Sequence, residues 1–142
     1  DQRGAGTGQE PAGLTGNILV VEDNPINRKV IEALLGRLGL RVIASAKNGR
    51  EAVDIITGGA KPDLVLMDVQ MPVMDGLEAT RRIRQWEEES LKPRLPIVAL
   101  TAAAFEEDRQ RCDASGMDDF LSKPINVNDL TSLLVKWMCK KG

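Results

Sequence analysis

A chain of 142 residues, 42% hydrophobic and 28% charged, can bury the core of one soluble domain but not comfortably of two. Its formal charge of -2 gives no general attraction to nucleic acid, and no apolar stretch approaches the roughly 20 residues that span a bilayer. The absence of histidine excludes Ser-His-Asp and Cys-His catalysis and most metal-hydrolase sites, and the chain cannot make its own phosphohistidine.

In chain order, residues 1–15 are rich in glycine and polar residues and lack any period, so they are expected to be a flexible linker or a remnant of expression, with the domain running over 16–142. The run Gly4-Ala5-Gly6-Thr7-Gly8 has no strand before it and no helix directly after it, and is rejected as a phosphate loop. No export signal is expected. Ile18-Leu19-Val20-Val21 reads as a strand ending in Glu22-Asp23-Asn24-Pro25, where Asp23 or Asn24 would cap a helix with Ile26, Val30, Leu34 and Leu38 on its inner face. Arg41-Val42-Ile43-Ala44 is the next strand, and Asn48-Gly49 opens a short helix carrying Ala52, Val53 and Ile56.

Leu64-Val65-Leu66-Met67-Asp68, bounded by Pro62 and Pro72, reads as a central strand buried on both faces. Asp75-Gly76 then starts a helix with Ala79, Ile83 and Trp86 inward and Arg81, Arg82 and Arg84 turned to solvent. Glu87-Glu88-Glu89 and Lys92-Pro93-Arg94 are expected to form a solvated connection. Ile97-Val98-Ala99-Leu100 is a strand ending at Thr101, followed by a weakly patterned helix over 104–114 with Phe105 and Cys112 inward. Asp119-Phe120-Leu121-Ser122 is the last strand, ending at Lys123-Pro124, and Leu130, Leu133, Leu134 and Trp137 mark a final amphipathic helix. Five strands alternating with five helices predict an α/β, doubly wound parallel sheet. Cys112 and Cys139 form no Cys-x-x-Cys pattern, so neither zinc nor a disulfide is expected, and a reducing cytoplasm fits.

Ligands of such sheets gather at the carboxyl ends of the strands. Those ends collect Glu22, Asp23, Asp68, Thr101 and Lys123. Carboxylates about 5 Å apart repel by roughly 3 kcal/mol at an effective dielectric of about 20, and a divalent cation would relieve that. An all-oxygen set suits Mg2+ or Mn2+, held by Asp23 and Asp68 with Glu22 nearby and the Gln70 backbone carbonyl. Phosphoryl transfer needs an in-line nucleophile and charges for the transferring oxygens. Asp68 supplies the first; Lys123, the Thr101 hydroxyl and the Ala102 backbone amide, with the metal, supply the second.

Val20-Val21-Glu22-Asp23-Asn24, Met67-Asp68-Val69-Gln70-Met71-Pro72-Val73-Met74-Asp75-Gly76, Ala99-Leu100-Thr101-Ala102 and Phe120-Leu121-Ser122-Lys123-Pro124 together resemble the receiver domain of two-component signalling, in wording most similar to receivers of hybrid histidine kinases. The resemblance spans about Asn17 to Trp137. It implies a flavodoxin-like (βα)5 sheet with strand order 2-1-3-4-5, and an Asp68 that takes a phosphoryl group from phosphohistidine on a histidine kinase or a histidine phosphotransfer protein. It implies Glu22 and Asp23 as the acidic pair for Mg2+, Thr101 and Phe120 as residues that move on phosphorylation, and a cis Lys123–Pro124 bond. On this reading the chain catalyses only its own phosphorylation and dephosphorylation, with Gln70 and Ala103 tuning the lifetime of the phosphoryl-aspartate. The face of the fourth helix, fifth strand and fifth helix is remodelled and is a possible homodimer surface. A cytoplasmic place follows, either free-standing or as the cytoplasmic part of a membrane-bound sensor kinase. The polar lead favours a piece of a hybrid kinase, and no output domain is expected after Trp137.

Each residue has a plainer reading when taken alone: Asp23 or Asn24 and Thr101 as caps, Phe120 as core, Lys123 as solvated surface, Pro124 as a turn. Their convergence on four strand ends with complementary charge favours the site. Three rivals remain for comparison. An aspartate-nucleophile phosphatase would need a second Asp where Gln70 stands, a mononucleotide binder would be repelled by Glu22-Asp23, and a docking module without phosphorylation would not need the acidic set.

Overall fold

The computed structural model describes residues 15–102 and 106–138. Five strands, β1 (Asn17–Val21), β2 (Arg41–Ala46), β3 (Leu64–Asp68), β4 (Ile97–Thr101) and β5 (Asp119–Ser122), alternate with α1 (Pro25–Arg37), α2 (Gly49–Thr57), α3 (Gly76–Ser90), α4 (Glu106–Ser115) and α5 (Val127–Met138). All strand pairs are parallel, in the order β2-β1-β3-β4-β5. This is the doubly wound parallel sheet expected from the alternation of apolar runs, in the flavodoxin-like strand order that the resemblance implies. The second strand extends two residues beyond Ala44, to Ala46, where the Glu22 amide donates to its carbonyl at 3.0 Å.

The two-residue period of the strands divides the core into two layers. Ile18, Val20, Leu64, Leu66, Val98 and Leu100 face Ile31 and Leu35 of α1 and Leu130 and Leu134 of α5. Their neighbours Leu19, Val21, Val65, Met67, Ile97 and Ala99 face Ala52 and Ile56 of α2, Ala79 and Ile83 of α3 and Cys112 of α4. β3 lies at the centre and is buried along its whole length. Truncating a side chain such as Leu66 to alanine there should cost about 2–5 kcal/mol.

Helix starts fall where short polar side chains can accept from orphan amides. Asn24 caps α1 by accepting from the Ile26 and Asn27 amides at 2.9 and 3.1 Å. Asn48 caps α2 and Asp75 caps α3 in the same way. With Asn24 as the cap of α1, the carboxylate of Asp23 is left for another task.

Two sequence expectations are corrected. The inward stripe of α1 is Ile31 and Leu35, buried, with Leu34 and the cap residue Leu38 half-buried beside them at spacing i, i+3, i+4, i+7, whereas Ile26 and Val30 point outward and are 72% and 50% exposed. The segment around Glu87 belongs to α3, and neither Arg84 nor Glu87 is solvated. Arg84 donates to Glu87 at 2.9 Å, Asp118 at 2.7 Å and the Leu95 and Gly116 carbonyls at 2.8 and 2.9 Å. A guanidinium can span these partners because it has five donors in a rigid fork. Phe105 and the segment before Glu106 lie outside the described residues, as do Ala103 and Cys139. Among the described residues no helix is long and apolar enough to cross a membrane.

Candidate functional site: an acidic crevice at the carboxyl edge of the sheet

The strands end together, and their register sets the crevice. Val21 pairs with Met67, so Glu22 and Asp68 follow at the same level, while Asp68 pairs with Leu100 and Thr101 with Ser122. Lys123 therefore emerges two positions from Asp68 across the sheet. Its ammonium lies 2.8 Å from Asp68 Oδ2 and 3.0 Å from Glu22 Oε1. Burial alone would depress this ammonium, but the Asp68 and then the Glu22 carboxylates outweigh it and hold the pKa above the ordinary 10.5. The Lys123–Pro124 bond is cis, as expected.

Glu22 and Asp68 are buried and Asp23 is exposed, and one carboxylate oxygen from each lies within 4.8 Å of the others. The buried pair, Glu22 and Asp68, repels by about 3 kcal/mol at that separation and an effective dielectric of about 20, and the exposed, water-screened Asp23 adds less. One ammonium against three carboxylates leaves two negative charges in excess, the charge of one divalent cation. Glu22 Oε1 meets the Lys123 ammonium at an angle poor for hydrogen bonding and has no aligned donor among the described residues. An all-oxygen set with a buried, unaligned acceptor fits a hard divalent ion with part of its water shell.

The loops are fixed by backbone approach as much as by side chains. The Gln70 amide donates to Asp68 Oδ1 at 3.2 Å and the Gly76 amide to the Val69 carbonyl at 2.9 Å. A Cβ on Gly76 would stand 2.3 Å from the Asp68 carbonyl oxygen, so this position admits only glycine without moving the carboxylate's own backbone. A Cβ on Gly49 would likewise stand 2.6 Å from the Met74 carbonyl, which the Gly49 amide already binds. Between these clamps Val73 takes φ +69, a left-handed conformation costly for a β-branched residue.

The structure thus brings Glu22, Asp23, Asp68, Gln70, Thr101, Ala102 and Lys123 to one cavity of about 420 Å3. Thr101 is half-buried at the tip of β4 and Ala102 is exposed beside it. Phe120 is set back by one level: it pairs with Ala99, is half-buried, and carries the Arg109 guanidinium 4.5 Å above its ring. Sequence reasoning missed Arg28, whose guanidinium donates to the Glu22 backbone carbonyl at 2.9 Å and braces the acidic turn from the first coils of α1. The signal available was a lone arginine one turn into the helix after Glu22-Asp23.

Residues 18–135 match the family described as the response regulator receiver domain. The sensor protein GacS of Pseudomonas syringae pv. syringae is 47% identical over 120 residues, which are 84% of this chain and 13% of that protein. The receiver domain of sensor histidine kinase PA1611 from Pseudomonas aeruginosa PAO1, solved with a magnesium ion coordinated in its active site cleft, is 43% identical with a TM-score of 0.76. That match covers 88% of this chain and 98% of that one. The receiver domain of Saccharomyces cerevisiae Ssk1, solved with the histidine phosphotransfer signaling protein Ypd1, is 36% identical with a TM-score of 0.82, over 88% and 90% of the two chains. Fold, crevice and sequence agree: the chain belongs to the response regulator receiver domain family of two-component signalling.

Proposed function

We propose that Asp68 is the phosphoryl acceptor of this receiver domain and that Glu22, Asp23, Asp68 and the Gln70 backbone carbonyl hold Mg2+, or Mn2+ in its place, beside it. The observation that carries this reading is the Lys123 ammonium bridging Asp68 and Glu22 at 2.8 and 3.0 Å, at the mouth of a crevice two positive charges short of balance. An Asp68 oxygen attacks the phosphorus of a partner's phosphohistidine, the P–N bond breaks, and the electron pair leaves on the imidazole nitrogen, which takes a proton from solvent. The products are an acyl phosphate on Asp68 and a neutral histidine. Lys123 stays within reach of one phosphoryl oxygen, and the Thr101 hydroxyl with the Ala102 amide serve another. The cation, when bound, offsets charge on the transferring oxygens.

The switch follows from the same positions. A dianion on Asp68 draws Thr101 toward it, and the ring of Phe120 turns into the space vacated. Arg109 rests on that ring, a contact worth about 0.5–1 kcal/mol at an exposed site, so the turn reaches the surface of α4. The face of α4, β5 and α5 shifts in population by as much as the phosphoryl group favours one state. This face is also the proposed homodimer surface.

The donor is a histidine kinase or a histidine phosphotransfer protein, and a docking place for it adjoins the crevice. Val30, Ile31, Pro124 and Ile125 line a cavity of about 340 Å3 that shares Glu22 and Lys123 with the site, and the exposed Ile26 stands on the same helix. Apolar surface beside the nucleophile suits a helix carrying the phosphohistidine. The compartment proposed is the cytoplasm.

Incubation with acetyl phosphate and Mg2+, read by intact mass, tests the acceptor. The wild type is expected to gain one phosphoryl group and Asp68→Asn to gain none; full incorporation in Asp68→Asn would overturn the assignment. Phosphotransfer from candidate histidine phosphotransfer proteins then identifies the donor.

A further inference from the structure

The edge of the sheet opposite the crevice carries a further concavity, of about 540 Å3, where the connections into β3 and β4 meet the ends of α2 and α3. Its floor is apolar: Ile56 and Pro62 are buried, and Trp86 and Leu95 are half-buried against the core. Its rim is basic. Lys61 and Lys92 are exposed and have no ion pair among the described residues.

The carboxylates in the lining do not balance these lysines, because both are engaged within the protein. Glu87 accepts from Arg84 at 2.9 Å and from the Leu95 amide at 2.8 Å, and Asp63 accepts from the Asn17 amide at 2.7 Å. The same bonds make the groove rigid. Arg94, on its wall, is fixed to Asp118 at 2.8 Å and to the Gly116 carbonyl at 3.0 Å, so the connection from Lys92 to Pro96 is a pinned wall rather than a loose loop. A site that needs no ordering loses less entropy on binding.

We propose that this groove docks an extended peptide segment of a partner protein, in which one bulky apolar side chain is flanked by carboxylates. The apolar residue packs on Trp86 and Pro62, and the carboxylates reach Lys61 and Lys92. A walled concavity fits one side chain better than the flat surface of a bilayer, and the chain's net charge of -2 disfavours nucleic acid. Since the groove and Asp68 lie at opposite ends of β3, docking and phosphoryl transfer can proceed together, and the proposal stands apart from the role of Asp68.

The test uses Trp86 as reporter in a Trp137→Phe background, which leaves one tryptophan. The probes are three capped hexapeptides, each with four glutamates and a central proline beside leucine, phenylalanine or tryptophan, the tryptophan peptide being read by amide NMR shifts. At least one is expected to give a saturable change below millimolar concentration. Lys61→Glu with Lys92→Glu, or glutamines in place of the peptide's glutamates, should weaken it at least tenfold while the circular dichroism stays unchanged. Acetyl phosphate labelling of Asp68 should be the same in the charge-reversed variant as in the wild type. Absence of saturation with all three peptides, binding insensitive to the charge reversals, or amide shifts confined to α4, β5 and α5 would overturn the proposal; so would binding only to anionic vesicles.

Discussion

The two edges of the sheet both gather carboxylates and cations, most of them buried or half-buried, and they balance them differently. At the amino edge Arg84 and Arg94 face Glu87 and Asp118, and all four carboxylate oxygens have aligned donors at 2.7–3.1 Å. At the carboxyl edge three carboxylates share one ammonium, and Glu22 Oε1 has no aligned donor among the described residues. Buried charge that is matched and fully hydrogen-bonded fixes a structure. Buried charge left in deficit is a standing cost, and it makes sense where a ligand offsets it.

The largest effect should come from breaking the matched edge. Arg84→Met leaves Glu87 and Asp118 buried with too few donors, and the expected loss is about 3–5 kcal/mol, read from the urea midpoint. If the variant unfolds with the wild type, the network is not what pins the connection from α3 to β4. The deficient edge should answer in the opposite direction. Without divalent cations Asp23→Asn relieves repulsion at an exposed position and should match the wild type or exceed it by less than about 1 kcal/mol. With Mg2+ at 100 times its Kd the wild type should gain about 2.7 kcal/mol and the variant far less, so that the order of stability reverses. Thermal denaturation with and without Mg2+ reads both halves; an unchanged order would remove the cation from the account.

A smaller effect is expected at Arg28. Its hydrogen bond to the Glu22 carbonyl positions the acidic turn without touching a ligand. Arg28→Ala should weaken Mg2+ about fivefold, in line with about 1 kcal/mol for one such bond, and Arg28→Lys should recover part of it. Calorimetric Mg2+ titration separates this from a general loss of stability, which would lower the melting temperature in metal-free buffer and leave the affinity intact.

The contrast also explains what could be read without coordinates. Glu22, Asp23, Asp68, Thr101 and Lys123 were legible because strand ends are local signals, and a parallel sheet brings all such ends to one edge. The helix cap was ambiguous between Asp23 and Asn24 in the sequence; the coordinates assign it to Asn24. Arg84 was misplaced because two of its partners, Asp118 and the Gly116 carbonyl, lie 34 and 32 residues away, beyond any helical period, and Glu87 because it is buried against Arg84 and accepts from the Leu95 amide past the end of α3. Ile26 and Val30 were assigned to the core because a spacing of four fits either flank of a helix, and only the direction of α1 across the sheet decides between them.

The mildest prediction concerns a carboxylate away from both clusters, Asp119, at the start of β5, which is matched like the amino edge but wetter. Its Oδ2 accepts from the Trp137 indole at 2.9 Å and from Lys136 at 3.2 Å, and its Oδ1 from the Phe120 amide at 2.9 Å. Burial alone would raise the pKa, but these donors outweigh it, Trp137 first, and hold it below the ordinary 3.8. The unfolded chain then binds the proton more readily than the folded one. The carboxylate's contribution is therefore complete above pH 3.8 and is lost as the pH falls through the lower folded value. Asp119→Asn keeps an acceptor for the indole and removes only the charge. Because Lys136 is largely in water, the cost at pH 7 should stay under about 1 kcal/mol. The gap between wild type and variant in urea midpoint should be constant from pH 7 to 5 and close below pH 4. A gap that persists undiminished at pH 2 would mean that Asp119 acts through shape and hydrogen bonding alone, and that charge matching matters only where water is excluded.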